Sequence, residues 1–395
     1  MSISKIKSNE IYLDNNSTTK PYKQVVSAMN KVQEQYYGNP STSYKIGKSA
    51  KDVIETSRKS MSTLLGIRDP CHLIFTSGAS ESNNNMIRGC ILNCVNKSQS
   101  QSRKLPKILC SAIEHSSVYE TCENLHNQHS CNLEIIPVDK YGFIQEDVYS
   151  NMIDENTKLV CIMIANNELG TIQNIKKLVQ ILRKKQKNCF FLCNATQYIG
   201  KYPINFNQLG VDGISFSAHK FHGPRGIGCM YLKNTKSILS CNTGGHQEYD
   251  LRAGTENTAS IYGMAMALEI STNNFQKDVT KTYKLRNKME DYLLQHIPGS
   301  NINCPFRDIH KRMYSVISIT FPRNIDSLLT KLNQNNIYLN VGSACNKGIK
   351  SRLLSAIGLK NENVKRTVRI SLSTLNTESE CMFAIHKIVS ILMGT

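Results

Sequence analysis

Runs of four to seven mainly apolar residues, each closed by a polar or glycine-bearing turn, recur through the first 220 of the chain's 395 residues. They stand at 72–75, 107–113, 159–165, 189–193 and 211–216, and their length and punctuation predict strands. The run at 159–165 has no polar interruption, the pattern of a parallel strand covered on both faces. A short strand at 11–13 enters a polar turn and is followed by an amphipathic helical stretch at 22–37. A long helical pattern fills 259–297. Beyond it come a strand at 313–321, a helix at 325–335, strands at 338–341 and 366–372, and a closing helix. This is α/β organisation. A chain of 395 residues can bury a large core, and we expect a large domain at 12–260 with a smaller one built from 1–11 and 261–395. No apolar run approaches the roughly 18 residues needed to cross a membrane.

The polar residues that close these runs are the candidate chemistry, because ligands gather where parallel strands end. Run 72–75 opens into Thr76-Ser77-Gly78-Ala79-Ser80, where free amides and a hydroxyl at a helix start would bind phosphate or simply cap the helix. Run 107–113 delivers Glu114-His115-Ser116-Ser117, and run 159–165 delivers Asn166-Asn167-Glu168-Leu169-Gly170. Run 189–193 delivers Asn194-Ala195-Thr196-Gln197. The run at 211–216 ends in Ser217-Ala218-His219-Lys220-Phe221-His222-Gly223-Pro224. An amine partly desolvated in such a bend is a usable nucleophile and base, although an isolated His-Lys pair is more often a surface turn. After the strand at 338–341 stands Gly342-Ser343-Ala344-Cys345, followed by Asn346-Lys347-Gly348, a setting for an exposed thiol beside a positive charge. Arg369 has the planar fork that clamps a carboxylate, and a structural salt bridge is the alternative.

Taken in order, these segments resemble the motifs of the cysteine desulfurases, fold-type I pyridoxal phosphate enzymes of the class V aminotransferase group. The resemblance runs from about Tyr12 to Met393, and the ordered set is far more specific than any one motif. It implies a large domain with a mainly parallel seven-stranded sheet between helices, plus a smaller α+β domain. The site should lie between them at the interface of a homodimer. Lys220 would carry pyridoxal 5'-phosphate, with Ala79, Ser80, Ser217 and His219 around its phosphate. His115 would lie on its ring and exchange protons, Asn167 and Gln197 would contact the ring oxygen, and Asn194 would face the ring nitrogen. Thr255, in Leu251-Arg252-Ala253-Gly254-Thr255-Glu256-Asn257, would reach the phosphate in the neighbouring subunit. Asn39, in Gly38-Asn39-Pro40-Ser41, and Arg369 would bind the substrate, L-cysteine. Cys345, in the Gly-Ser-Ala-Cys of desulfurases with a long catalytic loop, would take the sulfur as a persulfide while L-alanine leaves. The implied setting is sulfur transfer of the kind used in iron-sulfur cluster biogenesis. The acceptor is left open among an iron-sulfur scaffold, a tRNA-thiolating enzyme and a reductant.

The chain departs from the family's pattern at two positions. Tyr44 stands where a histidine is usual, and Asn194 stands where desulfurases place an aspartate. A carboxylate keeps the ring nitrogen protonated, whereas an amide offers one neutral hydrogen bond and leaves a weaker electron sink. The chain also stops soon after its final helix, without the tail that desulfurases serving an iron-sulfur scaffold often carry. Two other readings share these motifs: a selenocysteine lyase or related beta-elimination enzyme, and a sulfur-relay or binding protein without turnover. Retention of both Lys220 and Cys345 argues against the second.

Composition changes this picture little. The formal net charge of +18 could steer anionic partners or serve solubility. Basic runs such as Arg183-Lys184-Lys185 are not interleaved with aromatic residues, so they read as solvated surface rather than a nucleic-acid site. Fourteen cysteines are scattered without a Cys-x-x-Cys, which predicts neither disulfides nor a metal site. With little room for a leader before Tyr12, a reducing cytoplasm is the expected compartment.

Overall fold

The computed structural model describes residues 10–97, 104–341 and 351–394. In chain order its strands are β1 (Ile11–Tyr12), β2 (Leu73–Thr76), β3 (Lys107–Ser111), β4 (Asn132–Ile136), β5 (Thr157–Cys161), β6 (Phe190–Asn194), β7 (Gly213–Ser217), β8 (Gly228–Leu232), β9 (Asn301–Ile302), β10 (Val316–Thr320), β11 (Ile337–Tyr338), β12 (Asn340–Val341) and β13 (Thr367–Ser371).

Seven of them form one sheet in the order β2-β8-β7-β6-β5-β3-β4. The strands from β7 to β4 in that order are parallel to one another, and β8 runs antiparallel to both of its neighbours. The mainly parallel seven-stranded sheet expected from the sequence is present. Side chains alternate between its faces, and both faces are covered. Leu109, Val160, Phe191 and Ile214 join a core with the helix Ile175–Lys185. Ile108, Leu159, Leu192 and Met230 join another with the helix Ala79–Lys97. This two-sided burial is why these strands read as unbroken apolar runs. Edge strand β4 alternates exposed and half-buried positions, with polar Asn132 and Glu134 on its open side, and so shows no such run. Cys90, Cys110, Cys122, Cys131 and Cys161 pack in the second of these cores as small apolar side chains. None of the thirteen described cysteines is in a disulfide.

A second, antiparallel sheet has the order β12-β13-β10-β9, and beside it β1 pairs in parallel with β11. Its core takes Ile11 and Leu13 from the start of the chain together with Leu285, Met289, Leu293, Ile370 and Ile385. Residues after β1 then cross from this sheet to the end of β7. Ser371 N donates to Leu13 O (2.7 Å) and Thr19 N donates to His219 O (2.8 Å).

The structure divides two elements that the sequence pattern ran together. The pattern at 259–297 is two helices, Thr258–Asn273 and Phe275–His296, separated at Asn274. Ile261, Met264 and Leu268 of the first face the core of the large sheet, whereas Leu285, Met289 and Leu293 of the second face that of the small one. One straight helix could not present both faces. The strand expected at 338–341 is likewise β11 and β12, which pair with different partners on either side of Leu339.

A buried ion pair fixes the loop between β8 and the helix Thr258–Asn273. Glu248, Tyr249 and Asp250 hold left-handed backbone (φ 48°, 58° and 65°). Arg58 anchors them by donating to both Glu248 oxygens (2.7 and 2.9 Å), and Phe75 N donates to the same carboxylate (2.7 Å). Both charged side chains are almost wholly buried. Arg58→Ala would leave that carboxylate buried without its counter-ion, so urea unfolding should show a loss of about 3–5 kcal/mol. A loss below about 1 kcal/mol would mean that the pair does not hold the loop.

Candidate active site

At the end of β7 the chain enters a one-turn helix, Ala218–Lys220, and folds back on itself. Gly223 N donates to Ala218 O (3.0 Å), and a Cβ on Gly223 would lie 2.8 Å from that of Ala218, so the bend tolerates only glycine there. The segment after β1 wraps this bend. Lys220 Nζ donates to Asn16 O (2.7 Å) and Ser17 O (2.8 Å). His219 Nδ1 lies 3.1 Å from Thr18 Oγ1. His222 stacks on Tyr22 with ring centroids 4.4 Å apart, and its Nδ1 lies 2.7 Å from Lys20 O. Burial, more than neighbouring charge, pushes His219 and His222 each down to about 4, so both rings are neutral at neutral pH.

Ser217, buried at the end of β7, accepts from Ala79 N at 2.7 Å. Ala79 begins the helix Ala79–Lys97, and Ser80 follows it on the exposed side. A hydroxyl that accepts one hydrogen bond keeps its own proton to donate. Ser217 and the amides at this helix start therefore make a set of donors suited to an anion. Close packing sustains it, since a Cβ on Gly228 would lie 2.6 Å from Gly78 Cα.

His115 caps the helix Ser116–Asn127, with Nδ1 accepting from Ser117 N (3.1 Å), which leaves Nε2 for other partners. It is open to solvent, yet desolvation by the surrounding protein and then the Lys220 charge hold it below the ordinary imidazole value. Behind it, Asn194 at the end of β6 donates through Nδ2 to Glu114 Oε2 (3.3 Å), and its Oδ1 accepts from Thr196 N (3.2 Å). Burial pushes the Glu114 carboxyl up to about 7, against the lowering effects of Asn194 and the His115 amide. Gln197, also buried, donates through Nε2 to Asn16 O (2.9 Å). Asn167 accepts at its carbonyl from Asn16 Nδ2 (2.9 Å) and Arg369 Nη1 (3.3 Å).

Arg369 reaches the same place from β13 of the small sheet. Its Nη2 donates to Asp14 Oδ1 (2.6 Å) and Ser17 Oγ (2.7 Å), while Nε is buried without a protein partner among the described residues. The salt bridge weighed as an alternative for this arginine exists, and it orients the fork. Asn39 is exposed in a turn where its Oδ1 accepts from Ser41 N (3.0 Å). Thr255 is exposed on the loop before the helix Thr258–Asn273. Neither is hydrogen-bonded to the residues around Lys220. Cys345 lies outside the described residues. The chain on either side of 342–350 is tied to this site: Asn340 Nδ2 reaches Ser17 Oγ (3.5 Å) and Ser351 Oγ donates to Glu168 Oε2 (3.0 Å). Arg352 donates to the carbonyls of Ala112 and Glu114 and lies 3.8 Å above the Tyr119 ring.

The residues that the motifs did not single out are Asp14, Asn16, Lys201 and Arg352. Asp14 and Asn16 stand in the polar turn after the first strand, and their contacts lie some 150 to 360 positions away in the chain. Lys201 follows Gln197 by four residues, Nζ donating to Gln197 Oε1 (2.7 Å) and Asn16 Oδ1 (3.2 Å).

This donor set fits a phosphorylated aromatic aldehyde. An amine is clamped at one end, a hydroxyl and helix-start amides stand ready for an anion, and amides with an imidazole are available for a polar ring. Thr196 Oγ1 and Ser215 Oγ, both buried, find no protein partner among the described residues.

Comparisons with known proteins agree with this arrangement. Residues 11–382 match the family described as aminotransferase class-V. The chain is 36% identical over 373 residues to a protein from Methanosarcina thermophila called cysteine desulfurase IscS, covering 94% of this chain and 89% of that one. A solved structure described as a NifS-like protein matches with a TM-score of 0.89 at 32% identity, covering 98% of this chain and 100% of that one. Another, described as SspA in complex with cysteine, matches with a TM-score of 0.78 at 27% identity over 93% of this chain and 100% of that one.

Proposed function

This chain belongs to the class-V aminotransferase family, and we propose that it acts there as a cysteine desulfurase, moving the sulfur of L-cysteine onto Cys345 and releasing L-alanine. The observation that carries this reading is the convergence on Lys220, whose amine is clamped by Asn16 and Ser17 among His115, Ser217, Gln197 and Arg369. The ends of β3, β6 and β7 of the large sheet, the middle of β13 of the small one and the segment after β1 meet there.

Pyridoxal 5'-phosphate bound by Lys220 would supply the electron sink that makes the substrate Cα proton acidic and its carbon–sulfur bond labile. Ala79, Ser80, Ser217 and His219 surround its phosphate in this proposal, Ala79 N acting through the Ser217 hydroxyl to which it donates, with Thr255 reaching the phosphate of a second copy. Asn167, Asn194 and Gln197 line the ring, and His115 lies on it. Arg369 takes the carboxylate of L-cysteine and Asn39 lies on the substrate side. Lys220 Nζ, once free, moves the Cα proton. The Cys345 thiolate attacks the substrate sulfur, so that a sulfur–sulfur bond forms as the carbon–sulfur bond breaks. The electron pair of the broken bond stays with carbon, which takes up a proton, and His115 manages protons at the departing sulfur. L-cysteine and the Cys345 thiol thus become L-alanine and a Cys345 persulfide, which an acceptor then discharges. We place the phosphate-binding unit at 12–260 and the unit carrying Cys345 at 1–11 and 261–395, with the helix Thr258–Asn273 packed on the former.

Asn194 sets a limit on the rate. Exchanging a charge-assisted bond at the ring nitrogen for a neutral one costs about 1 kcal/mol, or roughly tenfold in rate. Asn194→Asp should therefore raise kcat about tenfold. The gain depends on pH because Glu114, pushed up to about 7, lies 3.3 Å from the amide it would then face as a carboxylate. While Glu114 is protonated it donates to the new carboxylate; once it ionises, above about 7 because the added charge raises it further, two negative charges repel. The gain should be largest below about pH 7 and shrink above it. A pH-independent ratio, or a slower variant throughout, would contradict the assignment.

Mass spectrometry after incubation with L-cysteine and no reductant tests the proposed reaction. One added sulfur atom on the Cys345 peptide is expected, and none on that peptide from a cofactor-loaded protein would refute it.

A further inference from the structure

Lys201 stands at the end of a tight turn that the reaction outlined above does not use. Ala195 O accepts from Tyr198 N (2.9 Å) and Ile199 N (3.0 Å), and the turn ends at Gly200, whose φ is 72°. A Cβ on Gly200 would lie 2.4 Å from Phe221 Cβ. Only glycine lets this turn lie against the residue next to Lys220, and Lys201 is thereby set beside the anchoring lysine.

We propose that Lys201 is a positioning residue of the site, fixing Gln197 as a hydrogen-bond donor and, across Asn16, tuning the amine of Lys220. This rests on the reading of Lys220 as the cofactor-bearing lysine.

The first half follows from donor and acceptor inventory. A lysine ammonium only donates, so the Gln197 oxygen must face Lys201 Nζ (2.7 Å), and Gln197 Nε2 must face Asn16 O (2.9 Å). The amide then has a single unused proton, on Nε2, to offer a ligand. Without Lys201 the amide could turn over and present its oxygen instead.

The second half follows from Asn16. Its carbonyl accepts from Lys220 Nζ (2.7 Å) while its Oδ1 accepts from Lys201 Nζ (3.2 Å). Its own amide donates to Ser371 Oγ (2.9 Å) and its Nδ2 to Asn167 O (2.9 Å), so it cannot move without breaking the frame. Among the described residues no carboxylate lies within ion-pair reach of Lys201, whose hydrogen-bond partners are the neutral oxygens of Gln197 and Asn16. Burial first, and then the charges of Lys220 and Arg369, bring Lys201 down to about 7. Its charge also acts on His219 and His222, and Tyr22, Asp278 and Tyr314 line the small cavity it shares with Lys220. Repulsion between two amines is mutual, so the Lys201 ammonium favours a neutral, nucleophilic Lys220.

Competitive acetylation by acetic anhydride of the full-length protein, freed of any pyridoxal phosphate with hydroxylamine and quantified at Lys220 by peptide mass spectrometry from the acidic to the alkaline range, tests this. In Lys201→Met labelling at Lys220 below about pH 7, where the parent Lys201 is charged, should fall about tenfold, and the difference should vanish in the alkaline range where Lys201 is neutral. Lys201→Arg, which keeps the charge and the donors at every pH, should retain the parent labelling below about pH 7 and exceed it above. Lys201→Gln carries the same expectation as Lys201→Met should the latter not fold. Unchanged labelling below about pH 7 in the neutral variants, or an equal fall in Lys201→Arg, overturns the proposal. Acetic anhydride reads the amine without any cofactor, so the function proposed above fails separately, if borohydride traps no pyridoxal phosphate on Lys220 of the parent.

Discussion

Lys220→Ala should lower alanine formation from L-cysteine by at least about a thousandfold, because in the proposed reaction one side chain both anchors the cofactor and moves the substrate proton. The structure separates this loss from misfolding. The variant withdraws one donor from Asn16 O and Ser17 O, but Asn16 O keeps Gln197 Nε2 at 2.9 Å. Two hydrogen bonds are lost, so stability should fall by about 1–3 kcal/mol. Steady-state alanine formation, read together with the visible absorbance of bound cofactor, checks both parts. Loss of turnover with the absorbance unchanged would place the anchor elsewhere. A variant retaining a tenth of the parent rate would remove Lys220 from the reaction.

Cys345→Ala should abolish multiple turnover, by at least about a hundredfold, while leaving cofactor absorbance intact. The proposed anchor and thiol come from different parts of the chain: Lys220 follows β7 of the large sheet, and Cys345 follows β12 of the small one in sequence. In the proposed reaction, removing the thiol takes away the acceptor of the sulfur and none of the groups assigned to the cofactor. Sulfide and alanine release in the presence of a reductant measures this. A variant that keeps turning over would mean that sulfur leaves directly, without a persulfide on Cys345. One that loses its absorbance as well would make Cys345 part of the cofactor site.

Much of this was legible along the chain, for a definite reason. Strands β3, β5, β6 and β7 are buried on both faces, so each is an apolar run whose end marks a position on one edge of the sheet. His115, Asn194 and Lys220 could be placed from those ends alone. Edge strand β4 escaped because only one side of it is covered. The separate helices at 258–273 and 275–296 read as one because each half has an apolar face and only the packing shows that the faces differ.

What the sequence withheld is how the second layer of the site is wired. Asn16 binds Lys220, Gln197, Lys201 and Asn167, yet it is an ordinary asparagine in a polar turn until the chain closes. The Asn194 substitution was visible at once, but not that its amide leans on Glu114, whose carboxyl is itself poised near neutrality. That contact turns a simple loss of charge into a pH-dependent one. Arg369 shows the same limit, since its pairing with Asp14 needs residues 355 positions apart to meet.

The decisive assay is product analysis of the cofactor-loaded parent with L-cysteine and a reductant. A desulfurase should release L-alanine and sulfide in equal amounts. Pyruvate and ammonia in place of alanine, or no product from either the parent or Asn194→Asp, would contradict it.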